Sequence, residues 1–140
     1  MSRRVFLDTN VLLDHLMDRR PFADDAAEIW SMAERREIVG YVSGITFPLV
    51  YYLVRRWADR RAATRAVRGM LDIFEIVTTD SRVVGQAVES PVPDFEDAIQ
   101  YHSAMRIKAL LIVTRNIRHF RNSEIPVLAP DAFLAQLDVE

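Results

Sequence analysis

Apolar residues in this chain form short unbroken runs, separated by longer stretches in which they recur at helical spacing. Val5-Phe6-Leu7 runs into Asp8-Thr9-Asn10 and is followed by Val11, Leu12, Leu13, Leu16 and Met17. The pattern predicts a buried strand, then a loop leading into a short helix. Pro21 suits the first turn of a new helix, and Ala26, Ala27, Ile29, Trp30 and Ala33 give it an apolar face as far as Arg36. Ile38-Val39-Gly40-Tyr41-Val42 reads as a second strand and Ser43 to Thr46 as a turn. Thr46 is the expected N-cap of a helix carrying Leu49, Val50, Leu53 and Val54, with Pro48 in its first turn. A further helix is predicted from about Asp59 to Leu71, a third strand at Phe74-Glu75-Ile76-Val77 and a short helix near Val83 to Val88. Pro91-Val92-Pro93 punctuates the chain before Asp94. Phe95 to Arg106 then reads as a helix, and Leu110-Leu111-Ile112-Val113 as the most clearly buried strand. Thr114-Arg115-Asn116 leads through a short turn to a last strand at Pro126-Val127-Leu128 and a closing helix begun by Pro130 and Asp131.

Strands thus alternate with helices, and no strand shows period-two alternation. That combination predicts an α/β fold with a parallel sheet covered on both faces, joined by right-handed crossovers. Ligands are then expected beyond the C-terminal ends of the strands. A length of 140 residues fits one domain, and a chain that is half apolar and about a quarter charged has the balance of a soluble globular protein. The absence of cysteine excludes disulfides and thiolate metal sites and agrees with a reducing cytosol, so a cytoplasmic location is expected. The basic start Met1-Ser2-Arg3-Arg4 precedes an apolar run that Asp8 breaks at once, unlike a signal peptide. No stretch approaches the roughly 18 apolar residues of a membrane span, so no membrane partner is expected.

A net charge of −2 gives no global attraction for nucleic acid, yet the charges are clumped. Arg55, Arg56, Arg60, Arg61, Arg65 and Arg68 fall in one segment, for which a solvated helix face is the ordinary explanation. Arg115, Arg118, His119 and Arg121 fall in another. If the first and fourth strands are neighbours, Asp8-Thr9-Asn10 and Thr114-Arg115-Asn116 reach the same sheet edge. Asp94-Phe95-Glu96-Asp97 opens the helix between them in sequence. Asp94 alone is explained as an N-cap, but Glu96 and Asp97 exceed what capping needs. Gathered carboxylates repel one another, and a hard divalent cation with oxygen ligands, Mg²⁺ or Mn²⁺, relieves that repulsion. Such an ion polarises a phosphodiester and activates water. The competing explanation for Asp8 is a cap on the helix or turn that follows it.

The pattern resembles a known family. Val5-Phe6-Leu7-Asp8-Thr9-Asn10-Val11-Leu12-Leu13-Asp14 is similar to the opening of a PIN domain. Asp94-Phe95-Glu96-Asp97-Ala98 with Ala104 resembles the third segment of that family, and Val113-Thr114-Arg115-Asn116 with Phe120 the fourth. Ile125 to Pro130 with Phe133-Leu134 follows its closing strand and helix. The resemblance implies a three-layer α/β/α sandwich around a parallel sheet of four to five strands. It also implies an Mg²⁺- or Mn²⁺-dependent ribonuclease, often the toxin of a VapC-type toxin–antitoxin pair held by a small antitoxin protein. By resemblance Asp8 is the first carboxylate and Asp97 the third, both metal ligands, while Asn116 stands where the fourth segment contributes an Asp or Asn. Glu96, Asp94 and His119 are possible additional site residues, and Arg115 or Arg118 would hold RNA phosphates.

Two positions depart from the family pattern. Aligned on Ser43 and on Tyr51-Tyr52, the second carboxylate of the family falls at Leu49, and no acidic residue occurs from Ser43 to Ala58. The acid expected shortly before Phe120 is His119. Two functions follow, an endoribonuclease with a reduced acidic site and a catalytically impaired PIN domain that binds RNA or protein. A receiver-like signalling domain shares the parallel sheet but needs paired acids after its first strand and a late Lys, neither of which is present. Family members often form homodimers, a surface for which Trp57, Tyr51 and Tyr52 qualify, although helix aromatics more often belong to the core.

Overall fold

A computed structural model describes residues 3–139, so Met1 and Ser2 of the basic start lie outside the described residues. The chain runs β1 (Arg3–Leu7), α1 (Thr9–Leu16), α2 (Ala23–Glu34), β2 (Ile38–Ser43), α3 (Thr46–Trp57), α4 (Arg60–Ile73) and β3 (Glu75–Val77). It continues through α5 (Ser81–Val88), α6 (Phe95–Arg106), β4 (Leu111–Val113), a 3₁₀ turn (Ile117–Phe120), β5 (Val127–Leu128) and α7 (Pro130–Val139). The five strands pair in parallel throughout, in the order β3-β2-β1-β4-β5. The order reverses between β1 and β4, so the loops leaving those two strands diverge and open a crevice.

Each central strand is apolar on both sides because it has a core on both faces. Val5 and Leu7 of β1, with Val42, Leu111 and Val113, pack against Val11, Ile29, Val50, Met70 and Phe133 of the helices on one side. Phe6 and Ile112 point the other way, into a second core with Val83, Ala98, Tyr101, Ala104 and Phe120. Helices α1 to α4 and α7 therefore cover one face and α5 and α6 the other, the expected three layers with five strands. No helix among the described residues is long and apolar enough to cross a membrane.

Several local expectations change or are decided, among them Pro21, which lies in the turn before α2 rather than in its first turn because Phe22 is the cap. Helix α1 begins at Thr9, immediately after the strand, with no intervening loop. Thr46 is the first residue of α3 rather than its cap, a place taken by Ile45. Its side chain is fully buried, and its hydroxyl lies 2.9 Å from that of Thr9, a partner across the sheet edge that capping would forfeit. Of the α3 aromatics, Tyr51 packs on the core, but Tyr52 and Trp57 are 56% and 54% exposed.

Gly40 of β2 is fixed by close approach. A Cβ at this position would stand 2.6 Å from the ring of Phe74, which is itself held edge-on against Trp30 at a centroid distance of 5.0 Å. Gly40→Ala is expected to cost about 1–3 kcal/mol of stability by overpacking, read from urea denaturation midpoints at constant slope. Phe74→Leu in that background should restore part of the loss, whereas an unchanged midpoint for Gly40→Ala alone would refute the contact.

Candidate active site

The crevice at the β1 and β4 ends is a cavity of about 260 Å³ whose lining includes Asp8, Asn10, Leu49, Glu96, Asp97 and Asn116. Five stretches of chain build it, among them the turn after α1, which adds Arg19. The backbone of β1 delivers Asp8, whose amide donates to Val113 O at 3.0 Å and so continues the pairing of β1 with β4. Asp8 occupies the N-cap position of α1 but makes no side-chain cap hydrogen bond of good geometry, so the backbone amides of Thr9 and Asn10 are minor partners of its carboxylate. Instead Oδ2 accepts from the Thr114 hydroxyl at 2.6 Å and from Asn10 Nδ2 at 3.3 Å. Thr114 Oγ1 in turn accepts from the Asn116 amide at 3.0 Å, so the loop after β4 is tied to Asp8 through one hydroxyl.

Helix α6 delivers the second carboxylate. Asp94 caps it, accepting from the Asp97 amide at 2.9 Å, as expected of an Asp at that place. Asp97 follows in the first turn, buried to 7% exposure, and its Oδ2 lies 2.8 Å from His119 Nδ1 of the 3₁₀ turn. When Asp97 is ionised it accepts there, and the tautomer of His119 with its hydrogen on Nδ1 holds the carboxylate in one orientation. Glu96, next to it in sequence, also lines the cavity. Helix α6 further contributes Gln100, whose Oε1 accepts from the Thr9 amide at 3.2 Å and anchors the first turn of α1.

The electrostatics of the cleft follow from this crowding. Burial pushes the Asp8 carboxyl above its ordinary range, and the Thr114 hydroxyl offsets part of the rise. Asp97 is raised by burial, then by the charges of Asp8 and Asp94, with His119 opposing them. Glu96 is raised by burial and by the charges of Asp94, Asp8 and Asp97. Three carboxyls and the oxygens of Thr9, Asn10 and Asn116 line the cavity with one cation, Arg19, whose guanidinium is drawn toward Asp14. This oxygen-rich set fits a hard divalent cation. Among the described residues, no three His, Cys, Asp or Glu side chains are placed to hold a metal ion by themselves. Asp8 and Asp97 are the carboxylates that could share an ion here, and two carboxylates completed by water or substrate oxygens are a set that Mg²⁺ commonly uses. Leu49 occupies the wall facing these carboxylates, together with Leu53.

Sequence reasoning missed the ion pair beneath the site. Asp14 of α1 is wholly buried and takes Arg115 in a two-pronged pair, Nε to Oδ2 at 2.5 Å and Nη2 to Oδ1 at 3.0 Å, with Arg19 Nη1 at 3.6 Å from Oδ1. The Arg115 guanidinium also stacks 4.0 Å above the Phe22 ring. Expected among the phosphate contacts, Arg115 is thus committed to the fold, and Arg118, exposed on the 3₁₀ turn, is the freer cation. The only trace of this pair in the sequence was an Asp on the apolar face of α1, six residues after Asp8.

A protein-family model described as a PIN domain matches residues 4–118. No curated protein gives a significant match. Among solved structures the chain is similar to DNA-bound VapBC from Salmonella typhimurium, at 18% identity and a TM-score of 0.68 over 93% of this chain and 99% of that one. It is similar to a toxin–antitoxin complex from Klebsiella pneumoniae, at 23% identity and a TM-score of 0.66 over 90% and 97%. It is also similar to VapC20 of Mycobacterium tuberculosis, a sarcin–ricin-loop-cleaving toxin, at 18% identity and a TM-score of 0.66 over 77% and 86%. These likenesses cover all three layers of the fold, and the matched family segment carries Asp8, Asp97 and Asn116 in order along one crevice; the chain belongs to the PIN-domain family.

Proposed function

We propose that the chain is an endoribonuclease of the VapC type, dependent on Mg²⁺ or Mn²⁺ and working with a reduced acidic site. The observation that carries this reading is the convergence of Asp8 and Asp97 on one cavity, each raised in pKa by burial and the second also by the charge of the first. Asp8 and Asp97 would hold the cation, which when bound supplies a polarised phosphodiester and an activated water. The protein residues do the remaining work. Thr114 and Asn10 hold the Asp8 carboxylate in one orientation, and His119 does the same for Asp97. Asn116, at the rim, offers its amide to a water or to the substrate. Glu96 adds negative charge beside the pair, and Arg118 takes an RNA phosphate and sets the strand direction. A small antitoxin protein as partner belongs to the same proposal, supported by the VapBC and toxin–antitoxin complexes among the similar structures. A single domain, a homodimer and a cytoplasmic location are proposed with it on the family resemblance alone.

Leu49 supports a second reading, a PIN domain that binds RNA or protein without cutting it, because an apolar side chain stands in the wall where the family pattern has an acid. Cleavage of a broad panel of single-stranded RNAs with Mg²⁺ or Mn²⁺ decides between them. Slow cleavage abolished by Asp8→Asn is the expected result, and no cleavage by the wild type gives the binding-only reading. Leu49→Glu should tighten Mn²⁺ binding about tenfold by calorimetry, and an unchanged titration would place the second ligand elsewhere.

The raised carboxyls also make stability depend on pH. A group whose pKa in the folded state exceeds its unfolded value of ~4 makes folding less favourable as pH rises through the interval between the two. Asp8→Asn removes that cost. In metal-free buffer its thermal midpoint relative to wild type is expected to rise by a few degrees between pH 4 and pH 8. Mg²⁺ should stabilise the wild type more at pH 8 than at pH 5, where protons compete for the same oxygens. Equal Mg²⁺ effects at both pH values would count against Asp8 and Asp97 as ligands.

A further inference from the structure

The arginine run is more than a solvated helix face. On α4, Arg61, Arg65 and Arg68 are spaced i, i+4 and i+7, so their side chains lie within about 60° of one another around the helix axis. With Arg60 and Thr64 they line a shallow groove of about 600 Å³. Solvated arginines on a helix are ordinarily interleaved with acids at i±4 and pair with them. Here Asp72 is the single carboxylate within α4, and Asp59 before it is occupied by the Ala62 amide at 2.8 Å. Arg55, Arg60, Arg61, Arg65 and Arg68 make no hydrogen bond or ion pair with any described residue, although exposed Arg20 and Arg35 elsewhere each find two acidic partners. A protein of net charge −2 therefore keeps five unneutralised guanidiniums on one hairpin.

The aromatic residues beside them narrow the ligand. Trp57 ends α3, one turn before this row, and is more than half exposed. Tyr52 is equally exposed, with the Arg56 guanidinium 5.6 Å from its ring centroid. A row of forked cations fits a linear polyanion rather than a single anion, and a half-exposed indole beside it fits an unpaired base. We infer that the hairpin of α3 and α4 is a second contact surface for single-stranded RNA, with Arg61, Arg65 and Arg68 on successive phosphates and Trp57 stacked on a base. An acidic protein segment would also match the charges, and its apolar side chains would suit the groove of about 300 Å³ that Trp57 lines with Leu16, Trp30 and Val54; that occupant is the alternative outcome of the test. The choice of RNA over DNA rests on the ribonuclease reading; the ridge itself does not.

The test is binding of a fluorescein-labelled 20-nucleotide single-stranded RNA of mixed sequence, followed by anisotropy from 50 to 250 mM KCl. Asp8→Asn protein is used throughout so that cleavage does not interfere. Combining Arg61→Gln, Arg65→Gln and Arg68→Gln should weaken binding at least tenfold at 100 mM KCl. The same variant should lower the slope of log K against log salt by about 2, the share of three phosphate contacts. The corresponding triple Arg→Lys protein should keep the slope, and Trp57→Ala should weaken binding without changing it. All three sites are exposed, and circular dichroism verifies that each variant is folded. No RNA binding by the Asp8→Asn protein, or the same affinity and slope in the triple Gln variant, overturns the inference. So does a triple Gln variant that binds RNA normally but loses self-association by light scattering, which would make the ridge a protein interface. Wild-type protein that binds through the ridge yet never cleaves defeats the nuclease proposal alone. Cleavage with ridge-independent binding defeats this inference alone.

Discussion

Burying the carboxylate of Asp8 at the mouth of a parallel sheet removes most of its hydration, a loss of several kcal/mol that the surrounding structure must offset. What offsets it is drawn from β4 and α1, through the Thr114 hydroxyl and the Asn10 amide. These contacts require β1 and β4 to be neighbours with Val113 opposite Leu7, and that register is the one the sheet has. The crossover that makes them neighbours also sends α6 over the same edge, which brings Asp97 to face Asp8. Strand order, loop conformation and the charge in the cleft are thus parts of one solution to one solvation problem.

Beneath the cleft lies a second buried charge, and it is handled differently. Asp14 has no access to solvent and is met by two arginines, one of them in a two-pronged geometry. Its charge is neutralised inside the protein, whereas that of Asp8 is met only by neutral donors. Two aspartates six residues apart are therefore prepared for opposite ends. One locks α1 to the loop after β4, and the other keeps electrostatic demand directed outward at the cavity.

Much of this was legible in the sequence, and the parts that were not share a cause. The strands were visible as apolar runs because both faces of the sheet are covered, and α6 was legible to the residue because Asp94 before it and Arg106 at its end fit the helix electrostatics. Asp8, Glu96, Asp97, Asn116 and Leu49 were singled out together, and they line one cavity. Thr46 was misplaced because a hydroxyl at a helix start caps it unless a better partner exists, and that partner, Thr9, is distant in sequence. Arg115 was read as a phosphate ligand because its pairing with Asp14 is likewise long-range. The roles of Gln100 and Thr114 depend on which backbone amide or carboxylate folding sets opposite them, and no local pattern records that. Whether Trp57 and Tyr52 belong to a surface or to the core stays open in the sequence because a helix does not reveal which side has a neighbour.

Leu49 and Leu53 turn one wall of the acidic crevice into hydrocarbon. Hydrocarbon there offers neither the charge nor the bound water that a carboxylate in that wall would bring. Field lines from Asp8 and Asp97 that would have been attenuated in a fully polar cavity are confined by this wall, because the local dielectric constant is lower beside it and each charge acts more strongly across the gap. Asp8 and Asp97 would therefore exert more force on a cation entering the crevice than the same pair would in an open, wholly hydrophilic site.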